Sequence, residues 1–224
     1  MIRLSHTNFQ QTIEWDENRH VGELAIESPT FFRSVARDLN EERDDTVGLC
    51  LTKEANALKY GADVDVVFNP MKLEFNNRRA VTTLFKMLVK TSNSEDFYLK
   101  TNEFKTRILK YLDEVVEAEG FNFDVVADDF TLNNIAKAVN FHVDSDEDDY
   151  VEFLTDYMEV MVELAETKLF VFVNLRSYLT DEEFSRLIQN ILNHQFDVLL
   201  IENQDYGKRE GMQRIIVDED ECEI

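Results

Sequence analysis

The sequence predicts an α/β protein with a helical insertion, and three observations carry that expectation. Two apolar runs, Leu169 to Val173 and Val198 to Ile201, are too short for helices and too apolar for an exposed hairpin. The segment between them has helical spacing, so the stretch reads as strand, helix, strand. Between Asn76 and Thr167 the chain shows helical patterns only. Strands apolar on both sides lie inside parallel sheets covered by helices. The expected organisation is therefore a head domain of residues 1–75 and 168–224, with a mostly parallel sheet, and an α-helical leg domain of residues 76–167.

Taken in order, residues 2–27 alternate apolar and polar in places (Ile2, Leu4; Ile13, Trp15; Val21, Leu24, Ile26), and His20-Val21-Gly22-Glu23 is able to turn. Two antiparallel strands are expected there. Ser28-Pro29 opens a helix, Ser as cap and Pro in the first turn, with Phe31, Phe32, Val35, Ala36 and Leu39 on its buried side. Val47 to Leu51 and Val64 to Phe68 are short strands. Helices are expected at roughly 76–91, 97–118, 131–141 and 147–166. In the strand–helix–strand stretch, Thr180 caps the helix and Glu183 reaches back to it, while Phe184, Leu187, Ile191 and Leu192 give one buried face. A parallel neighbour follows by right-handed crossover. A last strand runs from Arg214 to Val217, and the tail Asp218 to Ile224, with five acids, favours disorder.

A chain of 224 residues, 44% apolar with 17 Phe, folds into a globule. It has no run long enough to span a bilayer and no basic, apolar leader at Met1, which implies no membrane and a cytoplasmic location. Cys50 and Cys222 offer neither a disulfide framework nor metal spacing. The net charge of -23 argues against nucleic acid. The distribution argues the other way. From Arg78 to Lys110 eight bases (Arg78, Arg79, Lys86, Lys90, Lys100, Lys105, Arg107, Lys110) face three acids, a local net of +5, leaving -28 elsewhere. Segregation of this kind fits a basic surface for an anionic partner, and also an ordinary solvated helix face. In the first leg helix Val81, Leu84, Phe85 and Leu88 share one face, and Arg79, Lys86 and Lys90 lie opposite. In the second, Phe104, Ile108, Tyr111, Leu112 and Val115 form the apolar face flanked by Lys100, Arg107 and Lys110. Bases without base-reading partners suit phosphate contact that does not specify sequence.

Residues 111–166 then hold seventeen acids and a single base, Lys137. Carboxylates in number suit calcium. Asp144, Asp146 and Asp148 do not make a helix-loop-helix calcium loop, because its sixth and twelfth positions are Asp149 and Thr155 rather than Gly and Glu. Better candidates are Glu117, Glu119, Asp124, Asp128 and Asp129, at the break between two helices.

No catalytic constellation is found. The six glycines never form GxxxxGK[ST] or GxGxxG, and His6, His20, His142 and His194 lie far apart without zinc spacing. Ser177 lacks the glycines of a nucleophile elbow.

Two phrases carry a family resemblance: KLFVFVNLRSYLTDEEFSRLIQNILNHQFDVLLIENQ near the C-terminus and FNPMKLEFNNRRAVTTLFKMLVK before the leg. With the helical middle, the chain resembles the ring-forming spacer-acquisition proteins of type II-A CRISPR systems, the Csn2 family, over most of its length. The resemblance implies a head with a degenerate P-loop NTPase type of fold that has lost nucleotide chemistry. It implies a non-enzymatic, sequence-independent protein that binds double-stranded DNA ends as a homotetramer ring threaded by the duplex. It further implies calcium held by acidic residues of the leg, and action beside the CRISPR integrase proteins and the RNA-guided nuclease in antiviral spacer acquisition. The competing expectation is an acidic protein-interaction module that scaffolds the adaptation complex without touching DNA.

Overall fold

The computed structural model describes residues 1–7, 9–41, 48–120, 131–139, 143, 148–207 and 209–224. The chain forms two compact units, one of Met1–Phe75 with Ser145–Ile224 and the other of Asn76–Asp144.

The first unit contains two sheets. Strands β1 (Ile2–His6), β2 (Ile13–Trp15), β4 (Leu49–Lys53) and β5 (Asn56–Ala57) make an antiparallel sheet in the order β2-β1-β4-β5. Strands β3 (Val21–Ile26), β6 (Val64–Val67), β7 (Leu169–Val173), β8 (Val198–Glu202) and β9 (Met212–Val217) make a second sheet, ordered β6-β7-β8-β3-β9 and parallel throughout. The expected α/β head with a parallel sheet is present. The N-terminal segment differs from expectation, because it holds three strands shared between two sheets. Residues Val21 to Glu23, expected to turn, lie in β3, which is buried along its whole length. A charged residue inside that strand, Glu23, is matched by Arg214 on β9 and disguises its central position.

One face of the parallel sheet carries Leu24, Ile26, Val171, Val173, Leu199, Ile201, Ile215 and Val217. It forms one core with Ile2, Leu4, Ile13 and Trp15 of the antiparallel sheet and with Phe31, Val35 and Leu39 of helix α1 (Pro29–Asn40). Gly22 allows this close approach. A Cβ there would stand 2.5 Å from Ile13 Cγ2 and 2.9 Å from Trp15 Cζ2, both on buried side chains. Gly22→Ala is therefore expected to destabilise the protein by about 2 kcal/mol, read as a lower urea midpoint at unchanged slope.

The other face holds Phe170, which packs edge-on against Tyr157 and Phe196. Tyr157 belongs to α5 (Tyr150–Ala165), a helix with eight buried residues that packs on α6 (Asp181–His194). The Tyr157 hydroxyl donates to Asp65 Oδ2 on β6 at 2.6 Å. Helix α5 thus belongs to the unit containing the sheets, and the division falls at Asp144 where a leg boundary at 167 was expected. Helical spacing reports that a helix has an apolar face, not which body receives it. Helix α6 starts as its sequence requires: Thr180 Oγ1 accepts from Glu183 N, and the Glu183 carboxylate accepts from Thr180 N at 2.8 Å. Such a cap contributes about 1 kcal/mol. The acidic tail is also placed, against expectation. Ile224 N donates to Ile216 O at 3.0 Å, and Glu223 Oε2 accepts from the amides of Gln10 and Gln11.

The second unit consists of α2 (Arg78–Ser92), α3 (Tyr98–Glu119) and the short α4 (Leu132–Ala138). Its ends are tied by Asn76, whose amide donates to Val143 O and accepts from Val143 N, each at 2.7 Å. Among the described residues no helix is long and apolar enough to cross a membrane.

Candidate nucleic-acid interface

Helix α2 begins at Asn77, whose side chain accepts from the amides of Arg79 and Ala80 at 3.1 and 3.0 Å. Ala80 is fully buried and sets the helix rotation. At about 100° per residue, Arg79, Lys86 and Lys90 then fall on the side away from Ala80, Leu84 and Leu88. Arg78, Arg79, Lys86 and Lys90 are all exposed. Among the described residues no carboxylate forms an ion pair with Arg78, Lys86 or Lys90. Unpaired exposed cations keep their charge available for a partner.

On α3, Lys100, Arg107 and Lys110 line one flank of the apolar face. Lys100 Nζ sits 5.3 Å from the centre of the Phe97 ring, and Lys110 approaches Glu114 at 3.9 Å. Lys105 is half-buried and lies roughly 140° around the helix from Lys100, so it does not join that row. The apolar face itself is the larger surprise. None of the 22 residues of α3 is buried, and Phe104, Tyr111, Leu112 and Val115 stand open, Tyr111 at 64%. What reads in sequence as a core stripe is a surface.

A groove separates α2 from α4. It has a volume of about 550 Å³, an apolar floor at Phe85 and Val89, and lysines at Lys86, Lys90 and Lys137. The structure therefore brings two of the expected DNA-contacting lysines together with a third base that sequence reasoning treated as a stray. Only the packing of α2 on α4 reveals the set, since Lys137 lies some fifty residues on, amid acids.

Of the expected calcium ligands, Glu117 and Glu119 lie among the described residues. Glu117 and Glu119 are exposed at the end of α3, about 200° apart around the helix, so one cation cannot take both. Asp124, Asp128 and Asp129 lie outside the described residues, and among the described residues no three metal-ligating side chains converge. The last turn of α3 holds acids and no base, where the negative end of the helix dipole makes carboxylates unfavourable.

Sequence reasoning missed a buried ionic cluster in the first unit. The carboxyl ends of parallel strands, where open α/β sheets usually bind ligands, carry Glu202 at the end of β8 and Arg176 in the turn after β7. Glu202 is fully buried. Its Oε1 accepts from Arg176 N at 3.1 Å, and its Oε2 has no hydrogen-bond partner among the described residues. Burial is the main cause that pushes its carboxyl up to about 8, with the Glu23 carboxylate nearby adding to the rise. Arg176 stacks its guanidinium 3.8 Å from the centre of Phe184 and 4.9 Å from that of Tyr206, and donates to Asp181 at 2.9 Å. Arg214 pairs with Asp205 and lies 3.0 Å from Glu23, too poorly aligned for a hydrogen bond. Burial raises the Glu23 carboxyl, opposed by Arg214 and Arg176. The signal available in sequence was the pair of acids inside otherwise apolar strands.

Among solved structures, the chain is similar to cbiO1 from Clostridium perfringens, described as part of the ABC transporter complex cbiONQ. The identity is 10%, over 91% of this chain and 78% of that one, with a TM-score of 0.44. It is also similar to a putative ABC transporter ATP-binding protein from Pyrococcus furiosus, at 8% identity over 95% and 96% of the two chains and a TM-score of 0.40. A sequence profile of the CRISPR-associated protein (Cas_Csn2) family matches residues 42–221. That match takes in most of the second sheet and the whole of the helical unit, and the chain belongs to the Cas_Csn2 family of CRISPR-associated proteins.

Proposed function

We propose that this member of a CRISPR-associated family acts in adaptation as a non-enzymatic protein that binds double-stranded DNA ends without sequence preference, as a homotetrameric ring. The observation that carries the proposal is the run of bases on α2 and α3 of a strongly acidic chain, with Arg78, Lys86 and Lys90 exposed and without a carboxylate partner among the described residues. A single copy offers few phosphate contacts. Several copies around one duplex would multiply them, and affinity for DNA rises steeply with the number of phosphates neutralised. The open apolar face of α3 supports self-association, because monomeric proteins rarely leave such a continuous patch uncovered.

Support for a non-enzymatic role comes from the link between β3 and α1. It consists of Glu27 and Ser28 alone, and the Ser28 hydroxyl oxygen accepts from Phe31 N at 3.3 Å. The helix start is closed by its own cap, with no loop of backbone amides to cradle a phosphate.

Calcium is kept as part of the proposal for the acidic end of α3, although Glu117 and Glu119 alone do not make a site. The integrase proteins and the RNA-guided nuclease are proposed as further partners. The experiment is a mobility shift of a short linear duplex against a closed circle of the same sequence, with calcium and with chelator, beside the mass in solution. The expected result is a tetramer that binds the linear duplex only and requires calcium. Equal binding to the circle would refute threading, and binding unaffected by chelator would remove calcium. Binding to neither would leave the acidic interaction module, whose most natural contact is the apolar face of α3.

A further inference from the structure

Phosphate contact along a duplex needs exposed cations and no cavity. The groove between α2 and α4 has both the cations and a cavity. Its about 550 Å³ fall within the range of small-ligand sites, roughly 300–1,000 Å³. Lys86, Lys90 and Lys137 line it, and among the described residues no carboxylate does, although the chain carries twice as many acids as bases. Among the described residues none of the three lysines has an anionic partner within ion-pair distance. Its floor is Phe85, an aromatic ring, with Val89 one helical turn away, and the Thr82 hydroxyl stands on the same wall, donating to Arg78 O at 2.6 Å. Cations around an apolar, aromatic floor match a ligand that is anionic at one end and flat and apolar at the other.

From this pairing we infer that the groove between α2 and α4 holds an unpaired nucleotide, its base against Phe85 and Val89 and its phosphate on Lys86, Lys90 and Lys137. Stacking on an aromatic side chain is tolerant of base identity, in keeping with a protein that does not read sequence. The inference extends the DNA-binding proposal: the same helix that offers lysines to a duplex would hold a base that has left it. Lys137 is the diagnostic residue, because it is exposed, lies on α4 and lies outside the row of bases on α2 and α3.

The nucleotide could be free or belong to a single-stranded DNA tail, and the test separates these sources. Fluorescence anisotropy would compare the full chain and Lys137→Glu on a blunt duplex, the same duplex with a short single-stranded tail, and a labelled deoxynucleoside monophosphate. The expected result is tighter binding of the tailed duplex by about tenfold, lost in Lys137→Glu while blunt binding falls by less than about threefold. Binding of the free mononucleotide that vanishes in Lys137→Glu, without a tail preference, would support the groove as a site for free nucleotide. Absence of both mononucleotide binding and tail preference would overturn the inference. Failure of the duplex proposal itself is distinguishable, as loss of blunt binding in the unmodified protein, and the mononucleotide arm reads the groove even then. Phe85→Leu, which keeps volume but removes the ring, should reproduce the loss with the charge intact; unchanged tail preference in it would also overturn the stacking assignment.

Discussion

Replacing Lys86 and Lys90 together with glutamate is expected to reduce duplex affinity by at least about 100-fold at moderate salt, and to make the dependence of log K on log salt shallower by about two for each copy in contact. Both side chains are exposed, and among the described residues neither has an ion-pair partner, so the fold loses nothing when they change. The thermal midpoint should stay within about 2 °C, because exposed charges contribute little to stability. Mobility shifts across a salt series, with circular dichroism melts on the same samples, check both halves. Unchanged affinity in a folded double variant would take α2 off the DNA surface and leave α3 to serve protein contacts.

The second large effect concerns Glu202. Its carboxyl is ordinary in the unfolded chain, near 4.5, and pushed up to about 8 in the folded one. Its contribution to stability is therefore fully present below pH 4.5 and is lost as pH rises through 8, because the unfolded state gives up the proton first. The loss proceeds at about 1.4 kcal/mol per pH unit, on the order of 5 kcal/mol across the whole window, of which on the order of 3 kcal/mol falls between pH 5 and pH 8. Glu202→Gln keeps the oxygen that accepts from Arg176 N but has no proton to lose. The variant should match the native protein near pH 5 and exceed it by on the order of 3 kcal/mol at pH 8 in urea denaturation. Other groups titrate the opposite way: Asp16, whose carboxyl Arg19 holds at about 2, adds stability above pH 4 and loses it on acidification. These terms are common to both proteins and cancel in the difference. Parallel stability curves from pH 5 to pH 8 would show that Glu202 is already ionised in the fold.

The parts of the fold legible in sequence were those whose signal is local. The unit β7–α6–β8 is marked by two runs buried on both faces and by a capping box within four residues. Ser28, followed by Pro29, announces its helix by a side-chain cap. Strand β3 was obscured because its place at the centre of the sheet is decided by β8 and β9, nearly two hundred residues on, and because Glu23 breaks its apolar run. Helix α5 was expected in the leg since nothing in its own spacing names Asp65, Phe170 or Asn190 as its neighbours. For the candidate site, charge segregation along 78–110 singled out α2 and α3. It could not show that Lys137 joins Lys86 and Lys90, because that depends on how α4 packs on α2. Nor could it show that the apolar face of α3 stays open, because apolar spacing looks the same whether the cover is the chain itself or another copy.

The parallel sheet also dictates when the protein can mature during synthesis. Its middle strand, β3, pairs Val21 with Val198 and with Met212, and β6 pairs Val64 with Leu169. The strand Val21–Ile26 thus leaves the ribosome with both its neighbours still untranslated. The helical unit of Asn76–Asp144 is complete long before the sheet that brackets it, and its α2–α4 contact joins segments only some fifty residues apart. Close-range helical contacts form quickly, whereas remote strand pairing is slow. The nascent chain therefore folds from the middle outwards. Strand β6 lacks its partner until β7 is made, and β3 keeps both edges unpaired until β8 and β9 emerge.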